Sequence, residues 1–176
     1  MLKITDNYFN EHVQDHLEKK LSTNEFPWFY IPETVSGDLE DLKKLIKNTR
    51  HTHAFKHFVY DAVGTNSSMY ESLDRVFNFK NPIRVKINML TRIPNYNKDC
   101  HNQPHVDMDE EHNTKIYYVN DSDGDTFFFD KDYNIVDRVS PKKGRLVEFK
   151  GDVIHAGSNP IKNERRMVIN INESWS

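Results

Sequence analysis

From Gln103 to His112 the chain reads QPHVDMDEEH, placing two histidines and four acids within ten residues. His105 and Asp107 stand two apart. On a strand that spacing sends both side chains to one face, so an imidazole nitrogen and a carboxylate oxygen converge on one ion. Asp109 keeps the parity, but Met108 to Glu111 reads as the exit into a loop. Glu110, Glu111 and His112 are therefore expected to face solvent beside the mouth of a site. The tripeptide alone is weak evidence for a metal. A third ligand comes from RLVEFKGDVIHAG, an apolar strand and a turn that lead to His155. The small residues Ala156 and Gly157 follow it and leave room. A core histidine bonded to a backbone carbonyl fits the same segment. Two histidines and one carboxylate with open positions form the facial set of non-haem Fe(II) oxygenases, and three protein ligands plus water equally suit zinc.

The segment NERRMVININ bears on that choice. Strand parity puts Arg165 with Met167, Ile169 and Ile171, an apolar face suited to packing under helices. It puts Arg166 with Val168, Asn170 and Asn172, a face suited to a polar barrel interior. An interior guanidinium needs a carboxylate, and a dicarboxylate co-substrate supplies one in bidentate fashion. Both arginines also suit a surface near Glu164.

Positioning these groups falls to two kinds of element. Before Ile83 the pattern is helical. Val13, Leu17 and Leu21 share one face, and Leu39, Leu42 and Ile46 share another behind the cap candidates Ser36 and Asp38. Tyr70, Leu73 and Phe77 follow a capping box of Ser68 with Glu71. FPWFYIP interrupts as an extended segment laying aromatic rings on the core. From Ile83 onward the pattern is strands. IRVKINML alternates strictly, and TKIYYVN, DTFFFD, NIVDRV, RLVEF and RMVININ follow, separated by turn-forming runs such as NDSDGD and PKKG. Many short strands behind a helical region predict a mainly β fold with N-terminal α-helices: a double-stranded jelly-roll with the helices packed on one outer face. Residues 1–176 are expected to form one domain, with 1–82 as helical support and 83–176 as the jelly-roll core.

Composition narrows the class further. The 176 residues carry a formal charge of -3, with 36% hydrophobic and 29% charged residues. No apolar run is long enough to span a membrane, and the opening residues have no secretory h-region. Cys100 is the single cysteine, so no intrachain disulfide forms and a cytoplasmic setting is the default. The net charge offers no general basic field for nucleic acid.

The motif H-x-D, a distal histidine about fifty residues on and a basic residue about ten further resembles the Fe(II)/2-oxoglutarate-dependent dioxygenases, most closely their prolyl-4-hydroxylase-like branch. His105, Asp107, His155 and Arg166 fit it in order. IYYVNDSDGDT and SPKKGRLVEF are similar to that branch's strands, and FPWFY to its small phage and marine-microbial members. The resemblance implies Fe(II) on His105, Asp107 and His155. It implies 2-oxoglutarate held by Arg166 (or its neighbour Arg165) and by Tyr118, with O2 as oxidant and ascorbate as an allowed accessory reductant. Tyr96 stands nearest to the family's further tyrosine, and Val168 and Asn170 occupy places where the family often has Ser or Thr. The implied reaction releases succinate and CO2 and hydroxylates an unactivated C–H bond. A prolyl residue in a peptide or protein is the family-level substrate, with a small molecule as the other class. The setting would be cytoplasmic, that of the host for a viral source. Three other readings stand beside it: a cupin-type dioxygenase, a zinc hydrolase, and a non-catalytic ligand-binding jelly-roll.

Overall fold

The computed structural model describes residues 1–34 and 48–174. The expected helix on Leu39, Leu42 and Ile46 lies outside them. In chain order the described elements are β1 (Lys3–Thr5), α1 (Glu11–Leu21), β2 (Phe29–Ile31), β3 (Ala54–Asp61), β4 (Gly64–Thr65), α2 (Met69–Phe77), β5 (Pro82–Thr91), β6 (His112–Tyr118), β7 (Thr126–Phe129), β8 (Ile135–Val139), β9 (Leu146–Lys150), β10 (His155–Gly157) and β11 (Arg165–Ser174). All pairings within the two sheets are antiparallel. The larger sheet runs β1-β9-β6-β11-β5-β3-β2 with β4 on β3, and the smaller runs β10-β7-β8. This is the jelly-roll arrangement.

Period-two alternation divides each strand of the larger sheet between two environments. Val85 and Ile87 of β5, Tyr117 of β6, Leu146 of β9 and Met167, Ile169 and Ile171 of β11 face outward. They form one core with Leu17 and Leu21 of α1 and Leu73 and Phe77 of α2. The opposite face looks between the sheets, where Ile116, Tyr118, Val147 and Val168 meet Phe128 of β7 and Phe149. Both helices thus cover the same outer face of the larger sheet, and burying a side chain the size of Leu73 there contributes about 1.5–3 kcal/mol.

Several local expectations change. The segment before Ile83 is not only helical, since it also supplies β1 to β4. β1, β2 and β4 are only two or three residues long, and the eight-residue β3 lies inside the sheet, where it pairs with β5 and β2. In FPWFYIP, Phe26 is buried and Trp28 packs against the core, whereas Phe29 and Tyr30 are 59% and 61% exposed. The capping box on Ser68 does not form, because Ser68 makes no side-chain cap bond. Ser67 caps α2 instead: its Oγ accepts from Met69 N (3.1 Å) and meets His57 Nε2 (2.7 Å).

Candidate active site

His105 and Asp107 do not lie on a strand. They sit in the connection between β5 and β6, where His105 forms an isolated antiparallel bridge with His155, the first residue of β10. Two backbone bonds, His105 N to His155 O (3.0 Å) and His155 N to His105 O (2.9 Å), place the histidines directly opposite one another. Their ring centroids are 4.9 Å apart. The convergence read from i, i+2 parity is therefore produced by a cross-chain pair and a bend. One ligand atom from each of His105, Asp107 and His155 falls within 4.8 Å of the others, a set able to hold one cation.

The imidazoles are fixed by their second nitrogens. His105 Nδ1 lies 3.0 Å from Gln103 O, and His155 Nδ1 lies 3.0 Å from Val153 O. A carbonyl only accepts, so each Nδ1 carries the proton and each Nε2 keeps its lone pair, as a metal requires. Burial, reinforced by the neighbouring imidazole, pushes His105 down to about 3. Burial likewise lowers His155, against the opposing pull of Asp107. Burial would raise the Asp107 carboxyl, yet Lys86 and Arg84 hold it well below its usual range. The donors are thus two neutral imidazoles and one ionised carboxylate.

Of the groups that hold Asp107, Asn170 and Asn172 were expected on the interior face, but Arg84 and Lys86 were not singled out from sequence. Asp107 Oδ1 accepts from Arg84 Nη2 (2.8 Å) and Lys86 Nζ (3.0 Å), and its Oδ2 accepts from Asn170 Nδ2 (3.0 Å) and Asn172 Nδ2 (3.1 Å). The signal was present in IRVKINML: once Val85 and Ile87 are assigned to the core under the helices, Arg84 and Lys86 must face the barrel interior.

Arg166 is 4% exposed and lies on the same interior face of β11 as Val168 and Asn170. Its Nε donates to Gly124 O (2.8 Å) and its Nη2 to Thr126 Oγ1 (2.7 Å), and Thr126 Oγ1 lies 2.6 Å from the Tyr118 hydroxyl. Among the described residues no carboxylate pairs with Arg166 within 4.0 Å, so its charge is unmatched in a buried setting. Gly157 keeps the space beside it, since an added Cβ would lie 3.3 Å from Arg166 Nη1. Arg165 faces the other way and donates to Ser22 Oγ (2.9 Å), just beyond α1. Tyr117 likewise points into the core under the helices, opposite to Tyr118.

A single cleft of about 90 Å³ is lined by the metal-capable set, Arg166, Thr126 and Asn170, with Leu90, Ile116 and Val168 as apolar walls. Tyr96 is 8% exposed, and burial raises its hydroxyl well above the usual range. His112, expected in solvent at the mouth, is instead 2% exposed. It packs over Gly151, with Nδ1 2.6 Å from Glu110 O.

Residues 91–173 match the family model of the 2OG-Fe(II) oxygenase superfamily, a span that contains His105, Asp107, Tyr118, His155 and Arg166. No curated protein matches the chain by sequence. The fold is similar to that of an oxidoreductase of the 2OG-Fe(II) oxygenase family from Burkholderia pseudomallei, at 12% identity and a TM-score of 0.65, covering 97% of this chain and 84% of that one. It is also similar to a prolyl-4-hydroxylase from Pseudomonas putida, at 13% identity and a TM-score of 0.56, covering 99% and 93%. A viral collagen prolyl hydroxylase from Paramecium Bursaria Chlorella virus-1, solved as its 2OG complex, matches at 14% identity and a TM-score of 0.55, covering 98% and 96%. At these identities the likeness is one of fold.

Proposed function

We propose that this chain, whose residues 91–173 match the family model of the 2OG-Fe(II) oxygenase superfamily, is a dioxygenase that couples oxidation of 2-oxoglutarate to succinate and CO2 with hydroxylation of an unactivated C–H bond. A prolyl residue in a peptide is the substrate class that the likeness to prolyl hydroxylases supports. One observation carries the reading: a buried guanidinium without a carboxylate partner among the described residues shares a cleft with a His–Asp–His set. That donor set fits Fe(II), and the guanidinium fits the distal carboxylate of a dicarboxylic acid.

In this reading His105, Asp107 and His155 hold the metal. When bound, the metal supplies oxygen activation, which no side chain can supply. The protein does the rest. Arg84, Lys86, Asn170 and Asn172 fix Asp107 in one rotamer, so the carboxylate needs no reordering when the cation arrives. Arg166 anchors the co-substrate at its far end, and Thr126 and Tyr118 complete a polar cradle there. Leu90, Ile116 and Val168 supply the apolar walls that limit water in the cleft.

The test is succinate release from 2-oxoglutarate under air with added Fe(II). The expected result is metal-dependent succinate formation, abolished by chelator and restored by Fe(II) but not Zn(II). Absence of succinate under all conditions would turn the reading toward a zinc hydrolase, a cupin-type enzyme or a binding jelly-roll.

A further inference from the structure

The cleft carries more positive charge than the metal and co-substrate require. Lys56 on β3 and Lys86 on β5 line it together with Arg166, against the single carboxylate of Asp107. Arg84 already pairs with Asp107 at 2.8 Å, so Lys86 is a second cation on the same oxygen and keeps further N–H donors. Lys56 has no role in holding Asp107. Its Nζ donates to the backbone carbonyl of Thr34 (3.0 Å), and among the described residues no carboxylate lies within 4.0 Å of it. A divalent metal adds two positive charges, and 2-oxoglutarate removes two. Even setting Arg84 aside, two positive charges stay uncompensated among the described residues in a half-closed, low-dielectric space, which is unfavourable unless something else arrives to match them.

Register places this surplus. Lys56 pairs with Asn88 of β5, which pairs in turn with Val168 of β11, so Lys56 lies two strands from the Arg166-bearing β11, on the cleft's β3 side. Burial, together with the like charges of Lys86 and Arg84, pulls Lys56 down to about 8 against the weaker opposing pull of Asp107. Outside the cleft the sign reverses. Asp109, Glu110, Glu111 and Asp152 line the neighbouring surface hollow next to the Asp107 segment, and the whole chain carries a formal charge of -3. A polyanion such as nucleic acid would meet that acidic rim first. A single compact anion that enters the cleft would not.

We propose that the primary substrate carries a carboxylate close to the carbon that is hydroxylated, and that Lys56 and Lys86 bind it on the β3–β5 side of the cleft. This rests on the dioxygenase reading and narrows its substrate class. The carboxylate comes from a free amino acid or small organic acid, or from an acidic or C-terminal residue of a peptide. The two sources share the chemistry that the lysines recognise.

The test uses the full chain loaded with Fe(II) and 2-oxoglutarate under nitrogen. Propionate and propionamide serve as matched probes of like shape, and the readout is the rate at which an amine-selective reagent modifies Lys56, mapped by mass spectrometry. Propionate is expected to slow modification of Lys56 at least tenfold, propionamide less than twofold, and neither should protect the exposed Lys19. Lys86→Met should reduce the protection by propionate. Competition by L-proline, by a peptide with a free C-terminus and by its C-terminal amide then assigns the source. Equal protection by acid and amide, or none by saturating propionate, overturns the proposal. Failure of the dioxygenase reading shows separately, as absence of metal-dependent succinate when the same preparation is admitted to air, whatever the protection of Lys56.

Discussion

Arg165 and Arg166 are adjacent and both satisfy the motif spacing, yet the structure gives them opposite environments. Arg166 lies in the cleft, bonded to Gly124 O and Thr126 Oγ1, while Arg165 reaches Ser22 beside α1. Parity along NERRMVININ made this legible, because turning Arg165 inward would bury Asn170 and Asn172 against helices with nothing to bond. In their actual place both amides donate to Asp107. The prediction is that Arg166→Leu raises the 2-oxoglutarate requirement by more than tenfold, whereas Arg165→Leu changes it less than threefold. Tyr118→Phe should weaken 2-oxoglutarate by about 1.5–3 kcal/mol, the worth of one hydrogen bond to a charged group. Tyr117→Phe should not. A co-substrate titration of the four variants, read by succinate release, checks the set, and loss in Arg165→Leu with retention in Arg166→Leu would break the assignment. The partners of Asp107 were less legible. H-x-D is a local signal, but its donors Arg84 and Lys86 come from a strand more than twenty residues earlier and are joined to it only by the fold.

The helix and strand periods were readable because each element buries one face. Leu17 and Leu21 of α1 and Leu73 and Phe77 of α2 all enter the core that their spacing predicted. Capping was misread by one residue: SSM offers two serines, and the choice between them depends on His57, which lies on β3 and engages Ser67 Oγ at 2.7 Å. Ser67→Ala is therefore expected to destabilise the protein by about 1 kcal/mol, and Ser68→Ala by only a few tenths. Chemical denaturation of the two variants decides this, and a larger loss in Ser68→Ala would restore the capping box. The strand expected at His105 and Asp107 was a similar misreading. The two side chains do converge, but the cause is the backbone pair between His105 and His155, contributed by a segment about fifty residues later.

At the scale of the whole molecule, the site draws on both ends of the described chain. Lys56 and Thr34 from the N-terminal part line the same cleft as His155, Arg166 and Asn170. We expect the chain to unfold as one domain, so ligands bound in the cleft stabilise everything at once. Fe(II) with 2-oxoglutarate at about one hundred times its Kd should add about 2.7 kcal/mol and raise Tm by about 5–10 °C in a single transition. Separate melting of the segments before and after Ile83 would contradict this. The jelly-roll class was legible from strand number and turn spacing. The sheet order was not, because β1, β2 and β3 pair with strands that follow them by tens of residues or pack at edges where sequence pattern is weakest.

Anaerobic titration of the protein with Fe(II) and 2-oxoglutarate, followed by the weak visible charge-transfer band of the metal–oxo-acid chelate, tests the central claim most directly. His105, Asp107 and His155 lie within 4.8 Å of one another with both Nε2 lone pairs free, so the wild type is expected to form one chelate per chain. His105→Ala and His155→Ala, each removing a lone pair that nothing nearby replaces, are expected to form none. Normal chelate formation in both variants, or its absence from the wild type at saturating metal and co-substrate, would contradict the account.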